Sequence, residues 1–138
     1  DGRRSIPLLN FEPLVRLDGV QLVNLQQGNG LEQIEELTWR DRITDLSAQI
    51  DTEGAFVDTL AVMASLDLVV TSDTAIAHLA GAAGIPVSVA LCHLPDWRWG
   101  LNGQASAWYS SMRLFRQDQA GDWNGVFARI AQSIAEGI

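Results

Sequence analysis

The chain has 138 residues, 47% hydrophobic and 19% charged, which suffices for one sizeable core and is ordinary for a globular domain. Its formal net charge is −8, with nine arginines and no lysine. That balance argues against nonspecific nucleic-acid binding, whose affinity comes mainly from a basic surface. Apolar runs are broken every few residues, so none reaches the roughly 18 residues a transmembrane helix needs. Cys92 is the only cysteine; a disulfide within the chain and a cysteine-based zinc site are excluded, and a reducing, cytoplasmic location fits. No signal peptide is visible, and the opening Asp1-Gly2-Arg3-Arg4 has the character of an internal position in a longer protein.

Taken in order, Ser5 as N-cap and Pro7 in the first turn predict a helix over about residues 6–17, stopped by Asp18-Gly19. Val20, Leu22, Val23 and Leu25 form a short strand that runs out in the glycine-containing loop at residues 26–30. A helix follows at residues 31–37, where Glu32, Glu35 and Glu36 make a solvated face. Residues 42–46 are a weak strand candidate. Phe56, Val57, Leu60, Ala61, Met63 and Ala64 repeat at helical spacing, with Met63 in the core.

Residues 66–91 are the stretch around which the chain is organised. The apolar residues between 66 and 70 suit a strand buried on both faces, and Ala75, Ala77, Ala80, Ala82 and Ala83 suit a closely packed helix. Gly84 supplies the stop and Pro86 opens the next strand. Such a βαβ unit leaves backbone N–H groups and the positive end of a helix dipole at the strand's carboxyl end, where open α/β sheets hold anions. Ser72, Asp73 and Thr74 are equally the ordinary residues that cap a helix start, and His78, four residues beyond Thr74, is equally a packing residue. On spacing alone both readings stand.

An aromatic-rich loop, Pro95-Asp96-Trp97-Arg98-Trp99, comes after that unit; residues 112–116 read as a last strand and residues 125–135 as a closing helix. Neither repeats nor a dividing linker are present. The alternation of helices and strands implies a single α/β domain with a parallel sheet covered on both faces. Because the alternation begins with a helix, it looks like a doubly wound domain whose first strand has been removed.

Arg4-Ser5-Ile6-Pro7-Leu8, Leu25-Gln26-Gln27-Gly28, the string from Ser72-Asp73-Thr74-Ala75 through His78 to Gly81, Gly84-Ile85-Pro86-Val87, Pro95-Asp96-Trp97-Arg98-Trp99, and Trp108-Tyr109 with Met112-Arg113-Leu114-Phe115-Arg116-Gln117 stand in that order. Together they resemble the C-terminal half of glycosyltransferase family 9, the heptosyltransferase-like enzymes, most closely bacterial members that carry such a domain behind tetratricopeptide repeats. The resemblance covers essentially the whole chain. It implies the C-terminal, Rossmann-like half of a GT-B fold, which binds a nucleotide-diphospho-sugar donor, ADP- or UDP-linked, for inverting transfer without a metal or other cofactor.

Carried over, the N–H groups of Thr74 and Ala75 and the Thr74 hydroxyl would hold the donor pyrophosphate, with Ser72 and His78 beside them, and Asp73 would face the sugar. Arg4, beside Ser5, stands where heptosyltransferases have a phosphate-contacting lysine; a guanidinium can serve there as a bidentate donor. Gln26 and Gly28 lie in the donor loop, and Glu32 completes a Gly-x-x-x-Glu pattern whose glutamate meets the ribose hydroxyls. Gln27 departs from the lysine expected after Leu-Gln. Asp96, Trp97 and Trp99 form a sugar or acceptor loop, with aromatic stacking and buried packing both open to the tryptophans.

The resemblance places the catalytic base and the acceptor site, whether for glycan or protein, in an N-terminal domain not contained in these residues, so this region alone would be inactive and could self-associate. The alternatives are a noncatalytic binding module that kept the fold, and another Rossmann-type nucleotide-binding protein. A Gly-x-Gly-x-x-Gly fingerprint is absent, against a dinucleotide oxidoreductase.

Overall fold

The computed structural model describes residues 6–25, 32–35, 37–46, 57–72, 74–92 and 111–136. The helix expected over about residues 6–17 is shorter and starts later: Pro7 stands at the N-cap of a 3-10 turn, Leu8–Phe11, which runs directly into helix α1 (Glu12–Val15), and Gly19 at φ 79° follows. Strand β1 (Leu22–Asn24), helix α2 (Glu32–Glu35), strand β2 (Ile43–Asp45) and helix α3 (Val57–Met63) come next. Then come β3 (Val69–Ser72), α4 (Ala75–Ala82), β4 (Val87–Leu91), β5 (Met112–Arg116) and α5 (Trp123–Ala135).

All described strand pairs are parallel. Leu22 stands opposite Ile43 in one two-stranded ladder; β3, β4 and β5 form a second, with Val69 opposite Val87 and Val87 opposite Met112. Helices cover both faces. On one face Met63 of α3 and Ala77 and Ala80 of α4 pack against Val69, Val87, Val89, Leu91, Met112 and Leu114. On the other, Leu14 of α1 and Trp123, Val126, Phe127 and Ile130 of α5 pack against Ala90 and Phe115, with the rings of Phe11 and Phe127 4.5 Å apart. Strand alternation therefore feeds two cores, which is why β4 is buried at every position.

The strand expected at residues 66–70 lies later in the chain. The Ser65 N–H donates to Val62 O and the Leu66 N–H to Met63 O, so the last turn of α3 takes up Leu66, and exposed Asp67 precedes the strand. At its other end β3 continues through Thr71 and Ser72, paired with Val89 and Ala90. Ser72 is thus the last residue of a strand rather than the second of a loop.

Gly84 ends α4 as predicted. At φ 73° it lets its own N–H reach Gly81 O at 3.1 Å and the Ile85 N–H reach Ala80 O at 3.0 Å, a paired closure that turns the chain straight into β4. The closing helix starts two residues earlier than expected, because Asp122 accepts from the Gly125 N–H at 3.2 Å and so caps a helix beginning at Trp123. Met63 is fully buried. Among the described residues, no helix is long and apolar enough to cross a membrane.

Candidate functional site

Among the described strands, parallel pairing puts the carboxyl ends of each ladder at one edge: Asn24 and Asp45 in one, Ser72, Leu91 and Arg116 in the other. In the second ladder the chain leaves β3 at Ser72 and enters α4 at Ala75, so the positive end of the α4 dipole stands just beyond the β3 edge. The sequence folds this way because α4 presents mostly small residues, Ala77, Ala80 and Gly81, to the sheet, allowing close approach of helix and strand.

Thr74 occupies the N-cap position with extended backbone, φ −137° and ψ 174°, yet its side chain accepts no hydrogen bond from the helix. Its hydroxyl instead lies 3.2 Å from the Thr71 hydroxyl and 3.4 Å from Ser72 O. The first bond to the cap carbonyl is Ala77 N–H to Thr74 O at 3.0 Å, so the amides of Ala75 and Ile76 precede it and have no partner within the helix. Thr74 and Ala75 are both exposed. Hydroxyls and forward-pointing amides at one spot, without a carboxylate among the described groups, suit an anion such as a phosphate.

His78 lies one turn beyond Thr74 on the same side of α4, half-buried, with its Nε2 shielded from solvent. Ser72 is half-buried at the strand end. The structure thus brings Ser72, Thr74, Ala75 and His78 together around one helix start. Glu32 is the first residue of α2. Arg4, Ser5, Gln26, Gly28, Asp73, Asp96, Trp97 and Trp99 lie outside the described residues.

Two residues at this edge carry polar chemistry that the sequence reading did not assign. Thr71 was hidden because the strand was expected to end before it. Arg116 closes β5 opposite Leu91; alternation from Met112 and Leu114 sets it on the face covered by α3 and α4. Burial draws its guanidinium below the ordinary arginine pKa, and the Arg129 guanidinium holds its backbone carbonyl. Its signal in the sequence was its place as the last residue of a parallel strand, which reads as a ligand-facing position once the sheet order is known.

No family model matches the chain, and no solved structure matches it. Protein FlbA of Caulobacter vibrioides is 33% identical over 142 residues, an alignment covering 98% of this chain and 22% of FlbA. The chain therefore spans less than a quarter of that relative's length.

Proposed function

We propose that this region is the donor-binding half of an inverting, metal-independent glycosyltransferase, holding a nucleotide-diphospho-sugar at the start of α4. The observation that carries the reading is the Thr74 hydroxyl, which stands at the cap position without capping and leaves the Ala75 and Ile76 amides open to a ligand. A diphosphate leaving group develops negative charge as the glycosidic bond breaks, and fixed dipoles aimed at that charge lower the barrier without covalent chemistry. Thr71, Thr74 and the two amides supply such dipoles. Arg116 is a described cation at the same edge, and Arg4 is the cation that the resemblance to heptosyltransferase-like enzymes assigns to the phosphates.

Under this reading Asp73 faces the donor sugar, Glu32 the ribose, and the aromatic loop with Trp97 and Trp99 the sugar or acceptor. Transfer itself needs a facing domain with the base and acceptor site. The protein then works in the cytoplasm, where nucleotide-sugars are made.

Titrating ADP-, UDP- and GDP-sugars against the protein, by calorimetry and thermal shift, tests the reading. A ligand present at a hundred times its dissociation constant raises stability by about 2.7 kcal/mol, which is readily measured. A response to none of the three, and none to the free nucleoside diphosphates, would sink it and leave a noncatalytic module with the same fold.

A further inference from the structure

We propose that Thr71 is a positioning residue: its hydroxyl takes the place that a helix amide would have on the Thr74 oxygen, and so keeps the start of α4 uncapped. The arrangement of the two hydroxyls is independent of the glycosyltransferase reading; that the uncapped start serves a phosphate rests on it.

A count of protons fixes the direction of the contact. A threonine hydroxyl has one proton to give and two lone pairs with which to accept. Thr74 gives its proton to the Ser72 carbonyl at 3.4 Å. In the 3.2 Å contact between the two hydroxyls, Thr71 is therefore the donor and Thr74 Oγ1 the acceptor. Capping asks the same oxygen to accept from the N–H of Ile76 or Ala77, the second and third residues of the helix. Thr74 has the extended backbone of an N-cap, yet its side chain accepts from no helix amide. A β-branched side chain has few χ1 states, so an oxygen turned toward Thr71 is turned away from the helix.

The sheet puts Thr71 where it can do this. Val69 and Val89 pack in the core under α3 and α4; Thr71 lies two residues beyond Val69 and opposite Val89, on the face that α4 covers. The other long helix is closed in the usual way, with Asp122 accepting from the Gly125 amide at 3.2 Å. Only at the start of α4 is a capping side chain present and directed elsewhere, among the described residues.

Both hydroxyl contacts exceed the 2.7–2.8 Å usual for O–H···O bonds, so they are weak and easily exchanged. A phosphate oxygen at the helix start can take the Thr74 proton in place of Ser72 O while Thr71 still donates to Thr74 from behind. Each hydroxyl in such a chain polarises the next. A capped Thr74 would first have to leave its amide, and affinity would fall by the fraction of molecules left uncapped. Thr71 thus contributes to binding through Thr74 and not by its own contact with the ligand.

Thr71→Val, which keeps the branched shape and removes the hydroxyl, tests this alone and combined with Thr74→Ala. Without ligand, the Ile76 amide is expected to exchange at least about threefold more slowly in Thr71→Val, because the released Thr74 oxygen caps the helix. In urea unfolding, Thr74→Ala should lower the folding equilibrium constant at least about threefold more in the Thr71→Val background than in the unmodified protein. By calorimetry, ADP and UDP should bind Thr71→Val at least about threefold more weakly. In the Thr74→Ala background Thr71→Val should leave their affinity nearly unchanged, since no hydroxyl remains to cap. Thr71→Ser restores the hydroxyl and should reverse all the effects of Thr71→Val. An equal or smaller effect of Thr74→Ala in the Thr71→Val background overturns the proposal, and so does unaltered exchange at Ile76. A Thr71→Val protein that caps yet binds as tightly as the unmodified one refutes the link to the ligand. If the unmodified protein binds neither nucleotide, the donor-site reading fails, and exchange and unfolding still decide whether Thr71 holds α4 uncapped.

Discussion

The hydroxyls of Thr71 and Thr74 lie 3.2 Å apart, so the side chain at the start of α4 is turned back onto the end of β3 and away from the helix amides. A threonine that caps contributes about 0.5–2 kcal/mol, chiefly by satisfying an amide that would otherwise lack a partner. Thr74 satisfies none in the helix. Thr74→Ala is therefore expected to cost less than about 0.5 kcal/mol in urea denaturation, below the usual range for a lost cap. A loss of one or two would mean that the hydroxyl caps in solution.

Asp122 is the contrasting case, since its carboxylate does accept from the Gly125 amide. Asp122→Ala should cost about 1 kcal/mol. A Cβ added at Gly125 would meet Asp122 Oδ2 at 3.0 Å, so Gly125→Ala gains helix propensity, about 1 kcal/mol, and loses part of it by pushing on the cap. The two changes should be coupled: with Asp122→Ala already present, Gly125→Ala should stabilise by more than it does alone. A double-mutant cycle by thermal or urea unfolding reads this directly, and strict additivity would contradict it.

Gly84 tests a different physical effect. Nothing lies within 4 Å of the position its Cβ would take, but its φ is +73°. Gly84→Ala should destabilise by about 1–2 kcal/mol through backbone strain alone. Gly84→Asn should cost visibly less, because asparagine tolerates the left-handed region. Equal losses for the two would point to packing instead.

Among the described residues β1 pairs only with β2 and β3 only with β4, so each has an edge without a partner there, which bears on behaviour in solution. Exposed edges pair with whatever strand is at hand. The 138-residue chain is expected to self-associate at micromolar concentration, and light scattering should register species above the monomer mass. A monodisperse monomer across that range would count against it.

Much of this organisation was legible in the sequence. Helical spacing found α3, Gly84 marked the stop of α4, and Pro86 marked the opening of the strand β4 that follows. What was misread was local competition. The residues at 66–70 looked like one strand, but α3 kept Leu66 in its final turn, and the polar pair Thr71-Ser72 joined the sheet because β4 offers partners that no sequence window contains. That two-residue displacement decided the site, since it made Thr71 and Ser72 the edge on which α4 begins. Arg116 was missed for a related reason: whether a strand's last residue faces a ligand depends on strand order, which is a property of the assembled sheet.

The donor-site assignment makes its sharpest demand on charge. If the amides and hydroxyl at Thr74 hold the pyrophosphate, Thr74→Ala should weaken nucleoside-diphosphate binding while leaving stability nearly unchanged, a separation that a merely structural threonine would not give. Thr74→Pro, which deletes an N–H, should weaken binding further. Asp73→Asn should reduce affinity for a nucleotide-sugar and leave the bare nucleoside diphosphate almost unaffected, since only the former offers a sugar for the carboxylate to contact. Arg4→Ala should weaken both and flatten the salt dependence of binding, because a removed cation takes with it the part of the affinity that ions screen. Calorimetry with a nucleotide-sugar and its nucleoside diphosphate at two ionic strengths resolves all four variants. The assignment fails if, in a polypeptide that also contains the proposed facing domain, Asp73→Asn and Thr74→Ala leave donor affinity and transfer rate at the unmodified level.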